Sequence, residues 1–191
     1  AYIEESRQIA AEIGEDQLML LPLFIATWWL VDRDPAAAVK SLEEVIALAR
    51  KQAAIDVEGH ATIFRAVALA RLGEFDAARA DIAKALEIAP RAGSPVKEAD
   101  IHIGASDAFY EMGEIEKGLE HARIGADMAY NAKGFECACS GHVHVGKGQF
   151  EKRQIDEALS QFAKSLKIAG QVGSPAFAGY VNQIKANAAR A

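Results

Sequence analysis

Gly73-Glu74-Phe75-Asp76-Ala77-Ala78 and Gly113-Glu114-Ile115-Glu116-Lys117-Gly118 are two forms of one phrase, set forty residues apart (113 − 73 = 40). Carrying that shift along the chain places Ala38, Ala78, Gly118 and Ala158 in one column of small residues. Leu42, Ile82, Ala122 and Phe162 form an apolar column, and Val45, Ala85, Gly125 and Ser165 a compact one. Ala26, Ala66, Ser106, Gly146 and Ala186 add a further small column. The connectors keep the same period, because Gly93-Ser94-Pro95 returns two periods later as Gly173-Ser174-Pro175. Self-similarity at a fixed period of this length marks a repeat architecture, in which one supersecondary unit stacks on the next.

Each forty-residue unit divides into two helical patterns. In the second unit Ile63, Phe64 and Val67 open an apolar pattern that runs to Leu72. It stops at Gly73, whose tolerance of positive φ suits a helix end. Ala78, Ile82, Ala85, Leu86 and Ala89 then follow at spacings of three and four, one apolar stripe that ends at Pro90. Small residues on both helices let the backbones approach closely, and larger neighbours fill the space between units. One hairpin alone is too thin to bury its apolar faces, so stacking is obligatory. The register predicts full units over 16–55, 56–95, 96–135 and 136–175, with half units over 1–15 and 176–191, ten helices in a single array. Two open half units, and a start at Ala1 without Met, read as a piece cut from a longer array or a larger protein.

Composition agrees with an all-α chain. Of 191 residues, 51% are hydrophobic but only 7% aromatic, because alanine supplies about a fifth of the sequence, and alanine favours helix. Charged residues at 25% argue against intrinsic disorder. The balance of 21 Lys and Arg against 27 Asp and Glu gives a net charge of −6, which disfavours binding nucleic acid through phosphate neutralisation. Cys137 and Cys139 lie too close in sequence to staple distant parts of a fold, so a reducing, cytoplasmic setting is expected. The apolar run from Leu18 to Val31 is shorter than the ~20 residues a bilayer-spanning helix needs, so no membrane role is expected. Trp28 and Trp29 in that run are expected to be core of the first full unit, with an exposed edge that pairs two copies into a homodimer or meets a missing domain as the alternative.

The repeated residues resemble the tetratricopeptide repeat family over essentially the whole chain. The resemblance rests on a small residue in the first helix (Ala66, Ser106) and on Gly followed by an apolar residue at the turn (Gly73 and Phe75, Gly113 and Ile115). It also rests on Ala78 in the second helix and on Ala85 and Leu86 before Pro90. The forty-residue spacing is similar to the long-period subclass found in G-protein regulators, kinesin light chains and bacterial signalling ATPases or cyclases. The resemblance implies an all-α fold, a right-handed α-solenoid of stacked antiparallel helix hairpins. Three features depart from the pattern. Arg33-Asp34-Pro35 stands where Gly and an aromatic are usual, and Pro there opens a helix instead. Arg153 occupies the glycine column while Gly148-Gln149-Phe150 imitates the turn five residues early. The column usually aromatic reads Pro22, Thr62, His102, His142 and Asn182.

In that family the first helices line a concave groove. Carried over by register, the resemblance gives His60, Ile63, Val67, Asp100, Ile103, Asp107, Tyr110, Glu111, Val143, Lys147 and Phe150 as candidate partner-binding residues. The groove is then apolar toward its N-terminal half and acidic in the middle, at Asp100, Asp107 and Glu111. It lacks the Lys and Arg clamp with which chaperone-binding members hold a terminal carboxylate. The partner expected is an extended or helical peptide with apolar anchors and some basic residues, while a solvated surface accounts equally well for each polar residue.

Enzymatic and metal chemistry find little support. Cys137-x-Cys139-x-x-His142-x-His144 carries zinc-ligand residue types, but on a helix Cys137 and Cys139 point about 200° apart, and Cys137 and His144 lie about 10 Å apart along the axis. Cys137 and His144 share a face but are too far apart to hold one ion; only Cys139 with His142, at i and i+3, could do so, and His102 one unit earlier would have to assist. No nucleophile elbow, phosphate loop or metalloprotease motif is present. No catalytic residue, metal or cofactor is therefore expected. Two functions follow: a protein-interaction scaffold or, alternatively, the regulatory or sensor segment of a larger bacterial signalling protein, an ATPase, cyclase or transcription regulator.

Overall fold

A computed structural model describes residues 20–173 together with Gly179, Val181, Asn182 and Ala186. Eight α-helices follow one another among the described residues, with no strand between them. They are α1 (Leu20–Arg33), α2 (Pro35–Lys51), α3 (Ile55–Arg71), α4 (Phe75–Ile88), α5 (Pro95–Glu111), α6 (Ile115–Asn131), α7 (Phe135–Glu151) and α8 (Ile155–Val172). A 3₁₀ turn, Ala89–Ala92, follows α4 and takes in Pro90, where the sequence stripe ends. From α2 onward a helix begins every twenty residues, at 35, 55, 75, 95, 115, 135 and 155. The half units expected over 1–15 and 176–191 lie outside the described residues, apart from Val181, Asn182 and Ala186, and Gly179 beside them, all helical.

The turns set this metre. A left-handed residue stands at 53, 73, 93, 113, 133, 153 and 173. At Gly113, with φ 75°, the Gly113 N–H donates to Tyr110 O at 3.0 Å and the Glu114 N–H to Phe109 O at 2.9 Å, which satisfies carbonyls that the end of α5 leaves open. Arg153 makes the same turn with φ 61°, its N–H donating to Phe150 O at 2.9 Å and that of Gln154 to Gln149 O at 2.9 Å. Gly148-Gln149-Phe150, the imitation of the motif, lies inside α7. Position in the repeat decides where the turn forms, and the closing hydrogen bonds offset the cost of about 1–2 kcal/mol that a side chain pays in left-handed backbone. In the first unit the Asp34 carboxylate accepts the Ala37 N–H at 3.0 Å and Pro35 enters the first turn of α2, an N-terminal stop and start in place of a glycine.

Two compact units, Ala1–Ala92 and Gly93–Ala191, divide the chain. In the first, α1 packs on α2 and α3, and α3 on α2 and α4. Leu23, Val31, Leu42, Val45, Ile46, Ile63, Ile82 and Ile88 are buried there. In the second, α5 packs on α6, α6 on α7, α7 on α8, and α5 also on α7. Ile101, Ile103, Leu119, Val143, Val145, Phe162 and Ile168 form its interior. The small columns fall at the helix crossings, as the register predicts: Ala38, Ala78 and Ala158 are fully buried, and a Cβ added to Gly125 would meet Ile103 Cγ1 at 2.7 Å and Ala99 O at 2.8 Å.

Helix α1 corrects one expectation. Leu20, Leu23, Thr27 and Val31, spaced three and four apart, are buried, but Ile25, Trp28 and Trp29 are 52%, 59% and 65% exposed. A helix that is apolar all round can turn only one face to α2 and α3. The two tryptophans lie on the other side, not in the core.

Candidate functional site

The expected binding residues separate into core and surface once the helices are packed. Ile63 and Val67 in the first unit, and Ile103 and Val143 in the second, are buried. They supply the stripe that seats each first helix on its neighbours, so they offer a partner little area. Phe150 is half-buried against Val143, Ala158 and Phe162.

In the first unit the polar and aromatic residues of α1 and α3 gather on one side. The His60 ring meets Phe24 edge-on at 6.4 Å, and its Nδ1 lies 2.7 Å from Asp56 O, to which it donates. Phe64 lies 5.7 Å from Phe24 and 6.2 Å from Trp28 between ring centroids. Arg33 stands over the Trp29 ring at 5.8 Å. Arg71 donates to Val31 O at 2.8 Å, one full repeat away, and also holds Asp32. Phe24 and Phe64 were absent from the expected set, although they share a column one residue beyond Leu23 and Ile63.

In the second unit Asp107 is the electrostatic centre. One oxygen accepts Lys147 Nζ at 2.8 Å and the other faces His144 Nε2 at 3.1 Å. His144 Nδ1 lies 2.8 Å from Ser140 O, so both ring nitrogens face acceptors. The Tyr110 hydroxyl donates to His144 O at 2.9 Å. Burial pushes the Asp107 carboxyl upward, but His144 and then Lys147, by charge and hydrogen bond, outweigh it and hold it well below the usual carboxylate range. Burial, with the Asp107 charge added, pushes the Tyr110 phenol above its ordinary value. The acid expected to await a basic peptide is thus neutralised within the fold, by a residue one period away. Glu111 is exposed and Asp100 half-buried, and each has interactions within the chain.

The residues considered for metal or catalysis turn to separate partners. His102 Nδ1 and His121 Nδ1 lie 2.9 Å apart, and His142 Nδ1 lies 2.9 Å from Gln161 Oε1. Cys139 is buried, donating to Ser165 O at 3.4 Å while the Ser165 hydroxyl donates to Cys139 O at 2.9 Å. The Cys137 thiol points to Val96 O at 3.8 Å. Burial raises both thiols, Cys137 to about 12, which suppresses the thiolate that nucleophilic or ligand chemistry requires. Among the described residues no group of three or more His, Cys, Asp or Glu side chains could hold a metal ion, and no helix is long and apolar enough to cross a membrane. Among the described residues one buried polar side-chain atom is stranded: Gln149, only 7% exposed, has an Oε1 without a hydrogen-bond partner. It stands in the column of Leu69 and Phe109, both buried.

No protein-family model matches the sequence, and no curated protein matches it. Among solved structures, the chain is similar to the crystal structure of a signal transduction ATPase with numerous domains (STAND) protein with a tetratricopeptide repeat sensor, from Pyrococcus horikoshii. The two share 16% identity with a TM-score of 0.63. The likeness covers 96% of this chain and 30% of that one, so the chain spans under a third of that protein's length. At this identity the match speaks for the fold alone: a tetratricopeptide-like helical repeat, an all-α solenoid.

Proposed function

We propose that this chain is a protein-interaction module, which recognises a partner segment on the exposed side of the first helices of its hairpins. The observation that carries the reading is the surface left on α1, where Ile25, Trp28 and Trp29 stay exposed beside the Phe24, Phe64 and His60 cluster. Tryptophan is enriched among the residues that dominate binding energy, and contiguous exposed apolar side chains mark interaction sites more often than chance. A helical or extended peptide with apolar anchors suits such a surface. In the second unit Glu111, Lys147, Tyr110 and Asp100 border the same side of α5 and α7, while Asp107 serves the fold. A homodimer through the α1 surface is one form this recognition takes. The net charge of −6 favours a protein over a nucleic acid as partner.

A second reading is the sensor segment of a larger signalling protein, in which partner binding shifts the population of an effector elsewhere. The likeness to 30% of a multidomain ATPase with a repeat sensor favours it. The twenty-residue spacing of helix starts also supports placing the chain in the long-period form of the repeat.

The test is photo-crosslinking in source-cell extract, with a photo-reactive amino acid placed at Trp29, Glu111 or Lys147, or at Arg123 or Lys164 on the second helices. Discrete adducts at least several-fold stronger from the first three positions are expected. An adduct joining two copies from position 29 identifies the homodimer. Equal labelling from Arg123 and Lys164 would remove the assignment.

A further inference from the structure

The His102 and His121 rings meet between α5 and α6 with their Nδ1 atoms 2.9 Å apart. Their centroids lie 5.1 Å apart, close to the sum of that contact and the two ring radii, so the nitrogens point at each other and one N–H···N bond joins them. Phe109 stacks on His121 at 5.4 Å, and Lys117 stands over Phe109 at 5.6 Å. We propose that this imidazole pair is a proton-operated seam: with one hydrogen between the two Nδ1 atoms it ties α5 to α6, and with a hydrogen on each it drives them apart.

The chemistry is that of a coupled pair. In the neutral state one ring donates through Nδ1 and the other accepts. A first added proton goes to a free Nε2 and leaves the bond in place, while a second must occupy the accepting Nδ1 and breaks it. Burial, and then the charge of His121, lowers His102 from 6.5 to about 4, and burial lowers His121 against the opposing pull of Glu120. The unfolded chain protonates His102 near 6.5 and the folded hairpin only nearer 4, with His121 shifted in the same direction, so stability is present above that window and is lost as pH falls through it. The surrounding charges are otherwise engaged. On α6, Lys117 pairs with Glu114 and Arg123 acts on Tyr110. On α5, Asp100 acts on Cys137 and Asp107 is held by α7. On α7, His142 faces Gln161 and His144 faces Asp107.

The next hairpin supplies a control. One repeat later the same two columns hold His142 and Gln161, in contact at 2.9 Å. An amide oxygen accepts equally well from a neutral or a protonated imidazole, so that junction keeps its hydrogen bond on protonation. Burial still lowers His142 somewhat, so α7 and α8 show a smaller loss of the same sign.

The decisive experiment is amide hydrogen exchange on the full chain at pH 7 and pH 4.5, corrected for intrinsic exchange. Protection of α5 and α6 is expected to fall at least about tenfold more than that of α7 and α8, and His121→Gln is expected to abolish the difference. An equal loss in α7 and α8, or an undiminished loss in His121→Gln, would overturn the proposal. Should that variant fail to fold, imidazole NMR titration of the unaltered chain decides instead. Two coupled steps at least tenfold apart in proton affinity support the seam, and independent titration of both rings near 6.5 contradicts it.

Discussion

Gly141→Val is expected to lower stability by about 3 kcal/mol, the upper end of what overpacking a core costs. A Cβ at Gly141 would lie 2.6 Å from Ala126 Cα, 2.7 Å from Ala126 Cβ and 2.9 Å from Ala126 N. All three atoms belong to α6 itself, so relief requires moving one helix off another. At Gly118 the nearest atoms are instead the Tyr110 ring at 2.3 and 2.4 Å, a side chain that has a torsion with which to yield. Gly170 is the opposite control, with nothing within 4 Å of its Cβ direction. Gly170→Ala is expected to gain about 0.5–1 kcal/mol through helix propensity. Urea unfolding monitored by circular dichroism reads both, and a midpoint unchanged by Gly141→Val would mean that α6 and α7 do not approach this closely.

Asp107→Ala is expected to cost about 2–3 kcal/mol, below the 3–5 kcal/mol of a fully buried broken pair because the side chain keeps 29% of its surface in solvent. The loss comes from what remains: His144, whose side chain is 12% exposed, is left without the carboxylate that faces its Nε2. Lys147→Met should cost far less, about 0.5 kcal/mol, since its ammonium reaches water. The pH dependence separates this clasp from the imidazole seam. The Asp107 carboxyl is held below its unfolded value, so its contribution is fully present above about pH 4 and fades only as pH falls below that. Acid loss between pH 6.5 and 4 must therefore survive Asp107→Asn. If that substitution removed it, the titrating group would have been assigned wrongly.

The fold was legible because repetition multiplies a weak signal. No single Gly or Ala fixes a helix, but Ala38, Ala78, Gly118 and Ala158 at one spacing mark the same crossing four times. The register also outweighed local chemistry at Arg153, which takes left-handed backbone although Gly148 lies nearby in α7. The site was less legible, because a column position says which helix a residue is on but not what neutralises it. Asp107 and Lys147 stand in one column, and their spacing already carried the ion pair that closes over the expected acidic centre. Gly141 shares its column with Ala61 and Ile101, both buried, so the sequence alone allows bulk where Ala126 forbids it. Trp28 and Trp29 were misplaced for a simpler reason: hydropathy counts apolar residues, and only packing decides which side of a helix is covered.

The forty-residue hairpin as an interchangeable unit is tested most directly by deleting residues 96–135 and comparing circular dichroism with the intact chain. The deletion removes 40 of 191 residues, so helical signal is expected to fall by about a fifth and unfolding to remain cooperative, since each unit contacts only its neighbours. A coil-like spectrum, or a broad transition without a cooperative midpoint, would contradict it.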